Sequence, residues 1–223
     1  MSIGFLVKQD RPRPDKALVE AFSRIPVANI SDNMNRMFAG GVPLRPLDPG
    51  MRLAGVALTV RTRPGDNLML HKAIDMAEEG DVIVVDGGGD LNNSVFGEIM
   101  LRLSERRGIA GWVVDGAVRD FDVLSKGMPV YARGVTHRGP YKEGPGEINV
   151  PVSVGGMVVN PGDIVVGDGD GVLAIPLAAA GEVLEKARAH NEREEVMMRQ
   201  IADGTIDRSW IDETLKAKGC AFL

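Results

Sequence analysis

An unbroken apolar run, Val82-Ile83-Val84-Val85, constrains the fold of this chain more than any other feature. Short β-branched runs that end in turn residues are typical of strands buried on both faces of a sheet. The run follows the alternating stretch Leu53–Thr62, which predicts a strand, and the helical pattern Leu68–Glu79. A strand, a helix and a second strand in that order predict a parallel pair joined by a crossover, and therefore an α/β fold.

The same signals recur along the rest of the chain. Five further helices are predicted, at Lys16–Arg24, Ile30–Phe38, Val95–Arg107, Leu177–Ala202 and Trp210–Lys218. Short valine-rich strands are predicted at Gly111–Val114, Val130–Arg133, Val150–Val154, Met157–Val159, Ile164–Val166 and Val172–Ile175. Ser31 or Asp32 is the expected cap of the second helix. We therefore expect one α/β domain over residues 1–223, with a mixed sheet or small barrel, a helical N-terminal segment at 1–50 and a C-terminal helical extension at 177–223.

The composition argues against several classes of protein. A chain of 223 residues can bury a sizeable core. Its net charge of −5 argues against a nucleic-acid partner, because nucleic-acid-binding proteins usually show a basic face. No stretch approaches the roughly 20 apolar residues of a membrane span. The single cysteine, Cys220, cannot form an internal disulfide, so we expect a reduced, cytoplasmic setting. The three histidines are scattered, which argues against a histidine-rich zinc site.

Two loops that follow predicted strands carry most of the chemically useful residues. They span residues 86–98 and 115–120, and both are rich in glycine and carboxylates. Ligands of crossover folds bind at the carboxyl ends of parallel strands. The sequence Gly97-Glu98-Ile99-Met100 lies in the first turn of a predicted helix, where free backbone N–H groups could bind a carboxylate. The alternative is that Gly87–Gly89 is a plain flexible turn, and its spacing does not match a dinucleotide-binding fingerprint.

The dipeptide Arg119-Asp120 is the sharper candidate. An arginine at the end of a buried strand offers a planar fork to a carboxylate or a carbonyl. The adjacent aspartate could hold a hard cation, directly or through water. An exposed turn with a local ion pair is the alternative, and Asp115 is explained equally well as a structural turn carboxylate.

The other polar clusters are better explained as structure. Asp163, Asp168 and Asp170 lack the twelve-residue pattern of a calcium loop and are predicted to be turn residues. His137 and Arg138 precede a Gly-Pro loop, where a substrate could be reached, but we expect them to be ordinary surface residues. The sequence shows no Ser-His-Asp or Cys-His arrangement and no phosphate-binding P-loop.

Two long motifs resemble those of a known protein family. The stretch GEIMLRLSERRGIAGWVVDGAVRDFDVL is similar to the core motif of the 4-hydroxy-4-methyl-2-oxoglutarate aldolases, a family that also includes the regulator of ribonuclease activity A. The stretch KEGPGEINVPVSVGGMVVNPGDIVVGDGDGVLAIP resembles the second signature of the family. The likeness runs from Ile25 to Asp203. It implies a swivelling α/β/β-type domain that assembles as a homotrimer or homohexamer, with a site between subunits that needs Mg²⁺ or Mn²⁺.

The resemblance also implies roles for the residues of the two loops. Arg119 would hold the pyruvyl oxygens of the substrate, and Asp120 would anchor the metal, largely through waters. The pyruvyl carboxylate would be bound by the backbone of four consecutive residues, Gly97, Glu98, Ile99 and Met100.

Two further acidic positions follow from the same resemblance. The aldolases carry an acidic residue ahead of the Arg-Asp pair, at the position of Glu98, whereas the non-enzymatic regulators typically lack it. Glu98, acting through a metal-bound water, would take the proton of the substrate hydroxyl. A glutamate from the C-terminal helix of a neighbouring subunit would complete the site, and both Glu194 and Glu195 are candidates.

The implied reaction is cleavage of 4-hydroxy-4-methyl-2-oxoglutarate, or a related 4-hydroxy-2-oxo acid, to release pyruvate. An enolate develops on the pyruvyl oxygen, and a divalent metal with a fixed arginine would stabilise its charge. Oxaloacetate decarboxylation passes through the same enolate, so one site can serve both reactions. The alternatives are a non-catalytic regulator that resembles the ribonuclease regulator, and a methyltransferase, for which the sequence shows no strand–GxGxG–helix arrangement.

Overall fold

Residues 3–38, 40–41 and 43–222 are described by the structure, which is a computed structural model. The predicted segments 1–50 and 177–223 are thus described except at residues 1, 2, 39, 42 and 223, which lie outside the described residues. The strands among the described residues are β1 (Phe5–Val7), β2 (Arg45–Pro46), β3 (Leu53–Thr62), β4 (Asp81–Asp86), β5 (Ser94–Phe96), β6 (Gly111–Val118), β7 (Val130–Val135), β8 (Gly146–Ile148), β9 (Val152–Val154), β10 (Met157–Val159), β11 (Ile164–Asp168) and β12 (Gly171–Ile175). The helices are α1 (Lys16–Phe22), α2 (Val27–Asp32), α3 (Leu68–Met76), α4 (Glu98–Arg106), α5 (Phe121–Leu124), α6 (Ala180–Asp203) and α7 (Ser209–Ala217), and a 3₁₀ turn (Leu177–Ala179) leads into α6.

One large mixed sheet organises the molecule, which confirms the predicted α/β fold with a mixed sheet. Its centre is parallel, in the order β3, β4, β6 and β7, and the connections between these strands contain α3, α4 and α5 in turn. The other edge of β3 pairs antiparallel with β11 along its first half and with β8 along its second half. β9 and β10 form a separate hairpin. The carboxyl ends of the parallel strands therefore lie together at one end of the sheet.

The apolar run in β4 is explained by burial on both faces of this sheet. Val82 and Val84 pack into one core with α1, α2 and α6, whereas Ile83 and Val85 pack into a second core with α3 and α4. All four side chains are completely buried. Because successive side chains of a strand point to opposite faces, every position of such a strand must be apolar. The two cores place α4 and α6 on opposite sides of the sheet.

The position predicted for the second helix, Ile30–Phe38, is wrong. α2 begins earlier and ends before Asn35 and Arg36, which both have a left-handed backbone with φ of 55° and 58°. The predicted cap residues lie in its last turn. The contact at its first turn is long-range, because the Val27 N–H donates to the Asp168 carboxylate at 2.9 Å. Such a contact leaves no local pattern in the sequence.

The boundaries predicted around the second crossover are also wrong. The helix expected over Val95–Arg107 begins at Glu98, because the preceding residues form β5. β5 pairs in parallel with the end of β6. β6 in turn continues to Val118, so that residues 115–118 are strand and not an exit loop.

Candidate active site

The Arg119-Asp120 dipeptide and the first turn of α4 lie side by side at the carboxyl end of the sheet. The Arg119 N–H donates to the Phe96 carbonyl at 3.0 Å, which continues the pairing of β5 with β6. Gly97, the residue after β5, is thereby held against Arg119. The structure thus brings together the two segments that the sequence singles out, although they are far from adjacent in the chain.

Asp120 is held in an unfavourable backbone conformation. Its φ of 57° and ψ of 43° are left-handed, which is uncommon for a residue with a Cβ. Its Oδ2 accepts the backbone N–H of Glu98 at 2.9 Å and lies 3.6 Å from the Nε of Arg119. The side chain is 40% exposed, so the carboxylate can also reach a ligand. Strained conformations of this kind concentrate at functional sites.

Replacing Gly97 with any residue that has a Cβ would disturb both Arg119 and Asp120. A Cβ at this position would lie 2.7 Å from Asp120 Oδ2 and 3.0 Å from Arg119 Cγ. Its φ of −162° is ordinary extended backbone, so the requirement for glycine is one of space and not of conformation. The glycine allows the backbone of the α4 N-terminus to approach the Arg119-Asp120 pair closely.

The first turn of α4 offers backbone N–H groups to a ligand. The Glu98 N–H is taken by Asp120, and the Met100 N–H donates to the Gly97 carbonyl at 3.1 Å. The N–H groups of Gly97 and Ile99 have no partner among the described residues. Unpaired donors at a helix N-terminus, reinforced by the helix dipole, form an anion-binding site.

Glu98, Ile99 and Met100 point in three different directions. The Glu98 carboxylate lies 3.5 Å from Arg102, one turn along α4, and its side chain is 46% exposed. The Ile99 side chain is exposed, whereas Met100 is buried in the core. The Glu98 side chain therefore contacts Arg102 along the helix, whereas its backbone N–H is directed to Asp120.

A small cavity, here called the inner pocket, extends from Arg119 and the α4 N-terminus towards α3. Its walls are formed by Asn67, His71, Ser94, Val95, Phe96, Gly97, Ile99, Met100, Arg119, Pro140 and Lys142. Four of these, Asn67, His71, Pro140 and Lys142, were not predicted from the sequence. No carboxylate side chain lines the inner pocket, so its ionisable groups are two cations and one imidazole.

The segment that carries Lys142 is clamped to the loop before α3. The Asn67 N–H donates to the Tyr141 carbonyl at 3.0 Å, and the Tyr141 N–H donates to the Gly65 carbonyl at 2.8 Å. The buried Asp66 carboxylate accepts the next two N–H groups, those of Glu143 and Gly144, at 2.7 and 2.9 Å. This wall of the inner pocket is therefore fixed by backbone hydrogen bonds.

His71 is one helical turn beyond Asn67 on α3. Burial lowers the pKa of its imidazole, and the charge of Lys142 lowers it further, against a smaller opposing effect of Asp75. The neutral imidazole is thus favoured at neutral pH. A neutral ring has one nitrogen that donates and one that accepts.

A second, open cavity lies on the other side of Arg119. It is lined by Arg119, Asp120, Val135, Thr136 and His137. His137, expected to be an ordinary surface residue, therefore lines the same cavity as Asp120. Arg119 forms part of the wall of both cavities, so its guanidinium can meet a ligand that enters either one.

Three further aspartates have structural roles. Asp170 lies in a turn as predicted, whereas Asp168, also predicted to be a turn residue, is the last residue of β11. Asp163 accepts the N–H groups of Asn160 and Leu177, and Asp168 accepts those of Val27 and Asp170. The buried Asp115 pairs with Arg133 and accepts the Gly155 N–H at 2.7 Å. Gly88 and Gly89 have positive φ, which fits the turn interpretation of that loop.

Glu194 and Glu195 lie on α6, which packs on the opposite face of the sheet from α4. The Glu194 carboxylate is engaged within its own chain. It accepts from the buried Asn29 amide at 2.8 Å and lies 3.3 Å from His190 Nε2. Among the residues that the structure describes, the one donor to Glu195 is Asn191 of the same helix, at 3.0 Å. Within one chain, neither carboxylate belongs to the candidate site.

Across the described residues, no cluster of three or more His, Cys, Asp or Glu side chains could hold a metal ion by itself. In the same part of the chain, none of the helices has the length and apolarity that a membrane crossing requires.

Comparison with known proteins identifies the family. The family model described as RraA-like, aldolase/RraA, matches residues 27–174, which is more than half of the chain. The chain belongs to the RraA-like family. The match includes α4, Arg119 and Asp120, but it ends before α6. The RraA-like resemblance predicted from the two motifs is thereby confirmed.

Relatives of this RraA-like protein carry aldolase names. A protein of Halalkalibacterium halodurans named "Putative 4-hydroxy-4-methyl-2-oxoglutarate aldolase" is 40% identical over 190 residues, which cover 84% of this chain and 90% of the relative. The 4-hydroxy-4-methyl-2-oxoglutarate aldolase of Thermus thermophilus is 39% identical over 132 residues, which cover 58% of this chain and 79% of that protein.

Solved structures show the same fold. RraAS2 of Streptomyces coelicolor, described as an unusual member of the RNase ES inhibitor RraA family, superposes with a TM-score of 0.78 at 30% identity, over 85% of this chain and 99% of that one. An uncharacterized protein from Pseudomonas syringae gives a TM-score of 0.79 at 28% identity, over 87% of this chain and 96% of that one. The RraA-like fold is therefore shared by proteins whose names describe catalysis and by proteins whose names describe inhibition.

Proposed function

We propose that this protein is a divalent-metal-dependent, class II-type aldolase that releases pyruvate from 4-hydroxy-4-methyl-2-oxoglutarate or a related 4-hydroxy-2-oxo acid, and that it also decarboxylates oxaloacetate. One observation carries the proposal. Arg119 and two unpaired N–H groups of the α4 N-terminus line the same small pocket. A 2-oxo acid presents a carboxylate and an adjacent ketone. The two N–H groups can bind the carboxylate while Arg119 binds the ketone oxygen.

The binding mode follows from the donors. The substrate carboxylate lies at the N-terminus of α4, on the Gly97 and Ile99 N–H groups, where the helix dipole favours negative charge. The guanidinium of Arg119 then donates to the ketone oxygen. Cleavage of the bond between C3 and C4 leaves an enolate, whose negative charge develops on that oxygen. A donor that is already in place stabilises such a charge without reorganisation.

Asp120 is the residue that would hold the metal. Mg²⁺ and Mn²⁺ prefer oxygen ligands, and Mg²⁺ usually keeps several waters and takes one or two carboxylates. A single, partly exposed carboxylate at the mouth of an open cavity fits such an ion. When bound, the metal would act as a Lewis acid on the substrate oxygens.

Glu98 remains the proposed acceptor of the proton from the C4 hydroxyl. Its side chain contacts Arg102 and is half exposed, so it can turn without breaking a buried contact. Removal of the hydroxyl proton allows the C4 carbonyl to form as the bond between C3 and C4 breaks. The non-catalytic regulator is the second candidate, because structural relatives include a protein described as an unusual member of the RNase ES inhibitor RraA family. Glu98, together with an intact Arg119-Asp120 pair, favours the enzyme.

We also propose that the active form is a homo-oligomer, a trimer or hexamer. The C-terminal arm is defined here as residues 192–222, nearly all of which are exposed. Its exposed apolar side chains are Val196, Met197, Met198, Ile201, Trp210, Leu215 and Phe222. A second copy of this chain is the proposed occupant, since Ile99 and Leu103 beside the site are also exposed and apolar.

The glutamate that a neighbouring subunit would contribute is then Glu195. Glu194 is held by Asn29 and His190 of its own chain. Among the described residues, the Glu195 carboxylate contacts Asn191 of its own helix alone, and that contact is exposed. Arg102 and Arg106 on α4 give the receiving surface a charge opposite to that of a glutamate.

The test is pyruvate release from a panel of 2-oxo acids, with and without Mg²⁺ or Mn²⁺. The panel includes 4-hydroxy-4-methyl-2-oxoglutarate, oxaloacetate and sugar-derived 4-hydroxy-2-oxo acids. We expect release from the first two, loss of release after chelation, and recovery when the metal is returned. No release from any member of the panel would leave the regulator as the better interpretation, and full activity in excess chelator would remove the metal from the proposal.

A further inference from the structure

His71 belongs to the walls of two neighbouring cavities and is the one residue that this pair of cavities shares. The first is the inner pocket. The second is the α3–α4 groove, which is open to solvent and lined by His71, Ile74, Asp75, Leu103, Arg106 and Arg107. An imidazole has two nitrogens on different edges of its ring. His71 can therefore present one nitrogen to a ligand in the inner pocket and the other to water in the groove.

The charged groups around His71 favour a ring that can both accept and donate. Lys142 lines the inner pocket, Arg106 and Arg107 lie at the C-terminal end of α4, and Asp75 lies one turn further along α3. Burial and the Lys142 charge lower the pKa of His71, and Asp75 opposes this only in part. The neutral ring that results carries one proton and has one free nitrogen.

The proposed reaction needs such a group in the inner pocket. When the bond between C3 and C4 breaks, its electron pair remains with the pyruvyl fragment as an enolate, and C3 must gain a proton to give pyruvate. A relay needs a group that both accepts and donates a proton near neutral pH, which lysine and arginine side chains ordinarily do not. The pocket has no carboxylate side chain, and Glu98 lies outside it. His71 is the remaining ionisable side chain of the inner pocket.

We propose that His71 is a catalytic residue that relays a proton between water in the α3–α4 groove and C3 of the pyruvyl group. The inference rests on the proposed function. The ring N–H that faces the pocket gives its proton to C3, and the enolate electron pair forms the new C–H bond as the ketone returns. The nitrogen that faces the groove takes a proton from water. The hydroxide left there is neutralised by the proton that Glu98 removes from the C4 hydroxyl, and tautomer exchange restores the ring.

The relay can be tested without any cleavage substrate. Run in reverse on pyruvate, it removes a methyl proton and exchanges it with solvent, so the Mg²⁺-loaded enzyme should wash deuterium into the pyruvate methyl group in D₂O. The exchange rate is measured by proton NMR as the loss of the pyruvate methyl signal. His71→Gln keeps a polar side chain but cannot relay a proton, and the rate should fall about 10²-fold or more. Lys72→Gln, at an exposed position of the same helix and outside the walls of both cavities, is the control and should keep most of the exchange.

Two further measurements separate the relay from a structural role. In the wild type, the exchange rate should fall as the pH drops through the pKa of His71, because the protonated ring has no free nitrogen; in His71→Gln this acid limb should be absent. Glu98→Gln should slow cleavage but leave methyl exchange near the wild-type rate. Wild-type exchange in His71→Gln, with the acid limb unchanged, overturns the relay alone. A wild-type protein that neither cleaves nor exchanges overturns the proposed function and the relay with it.

Discussion

The carboxylate of Asp120 accepts the backbone N–H of Glu98 at 2.9 Å, and this hydrogen bond joins the two halves of the candidate site. One half is the end of β6, and the other is the first turn of α4. The bond fixes where the unpaired N–H groups of α4 point, and it holds one oxygen of the proposed metal ligand in place. Any change that moves α4 away from Asp120 should therefore affect substrate binding and metal binding together.

Replacement of Gly97 by alanine is the most direct way to separate the two halves. The new Cβ would lie 2.7 Å from Asp120 Oδ2, a distance that forces one of the groups to move. We expect Gly97→Ala to raise the apparent Kd for Mg²⁺ and to lower kcat/KM for pyruvate release. Gly181→Ala on α6 is the control, since its Cβ would meet no atom within 4 Å and alanine favours a helix. Equal metal affinity and activity in the two variants would contradict the close approach.

Arg119→Lys tests whether the guanidinium itself is needed. Lysine keeps the positive charge but loses the planar fork that contacts two oxygens at once. We expect kcat/KM to fall about 10²-fold or more, as for the loss of a donor to a developing oxyanion. Arg24→Lys is the control, because Arg24 is exposed and lies on the other face of the sheet from α4, and we expect its kcat/KM to be unchanged. Near wild-type kinetics in Arg119→Lys would make Arg119 a structural residue of the turn.

The central elements could be predicted from the sequence because their signals are local. The apolar run in β4 and the alternation in β3 follow from burial on two faces, and the observed bounds of β3 are those predicted. β5 was missed because three residues are too few to show a period, and its pairing with β6 depends on the tertiary fold. β6 continues past its predicted end at Val114 through residues such as Asp115, whose burial against Arg133 no local pattern reveals.

The residues of the candidate site could likewise be predicted from the sequence only where their signal is local. Arg119, Asp120 and the turn after Gly97 were predicted because polar and glycine residues after a buried strand are a local signal. Asn67 and Lys142 were missed because they meet only through the pairing of the 141 segment with the loop before α3. A lone histidine in a helix, such as His71, gives no signal until the cavities on both sides of it are known.

The C-terminal arm provides a test of assembly. Light scattering of the wild type should give a trimer or hexamer. Met198→Glu with Ile201→Glu should lower the mass and the rate of pyruvate release together, since charges would enter the proposed contact with the second copy. Val158→Glu is the control, because Val158 is exposed to a similar degree but lies on β10, outside the arm. A wild-type monomer with full activity would refute both the assembly and a site shared between subunits.

Glu98→Gln separates the enzyme from the regulator. Glu98 and Glu105 both contact Arg102, at 3.5 and 3.0 Å, so Glu105→Gln is a control that removes a similar surface charge from the same cluster. Both variants should fold normally, because exposed ion pairs contribute only about 0 to 1 kcal/mol. The Asp120 contact should also survive, since it uses the backbone N–H of Glu98.

An amide cannot accept the hydroxyl proton, so aldol cleavage in Glu98→Gln should fall about 10²-fold or more. Oxaloacetate decarboxylation should fall less, because no hydroxyl proton is removed in that reaction. Equal losses in the two reactions would mean that Glu98 only orders waters at the metal, and no loss in either would leave it as a helix-terminus carboxylate.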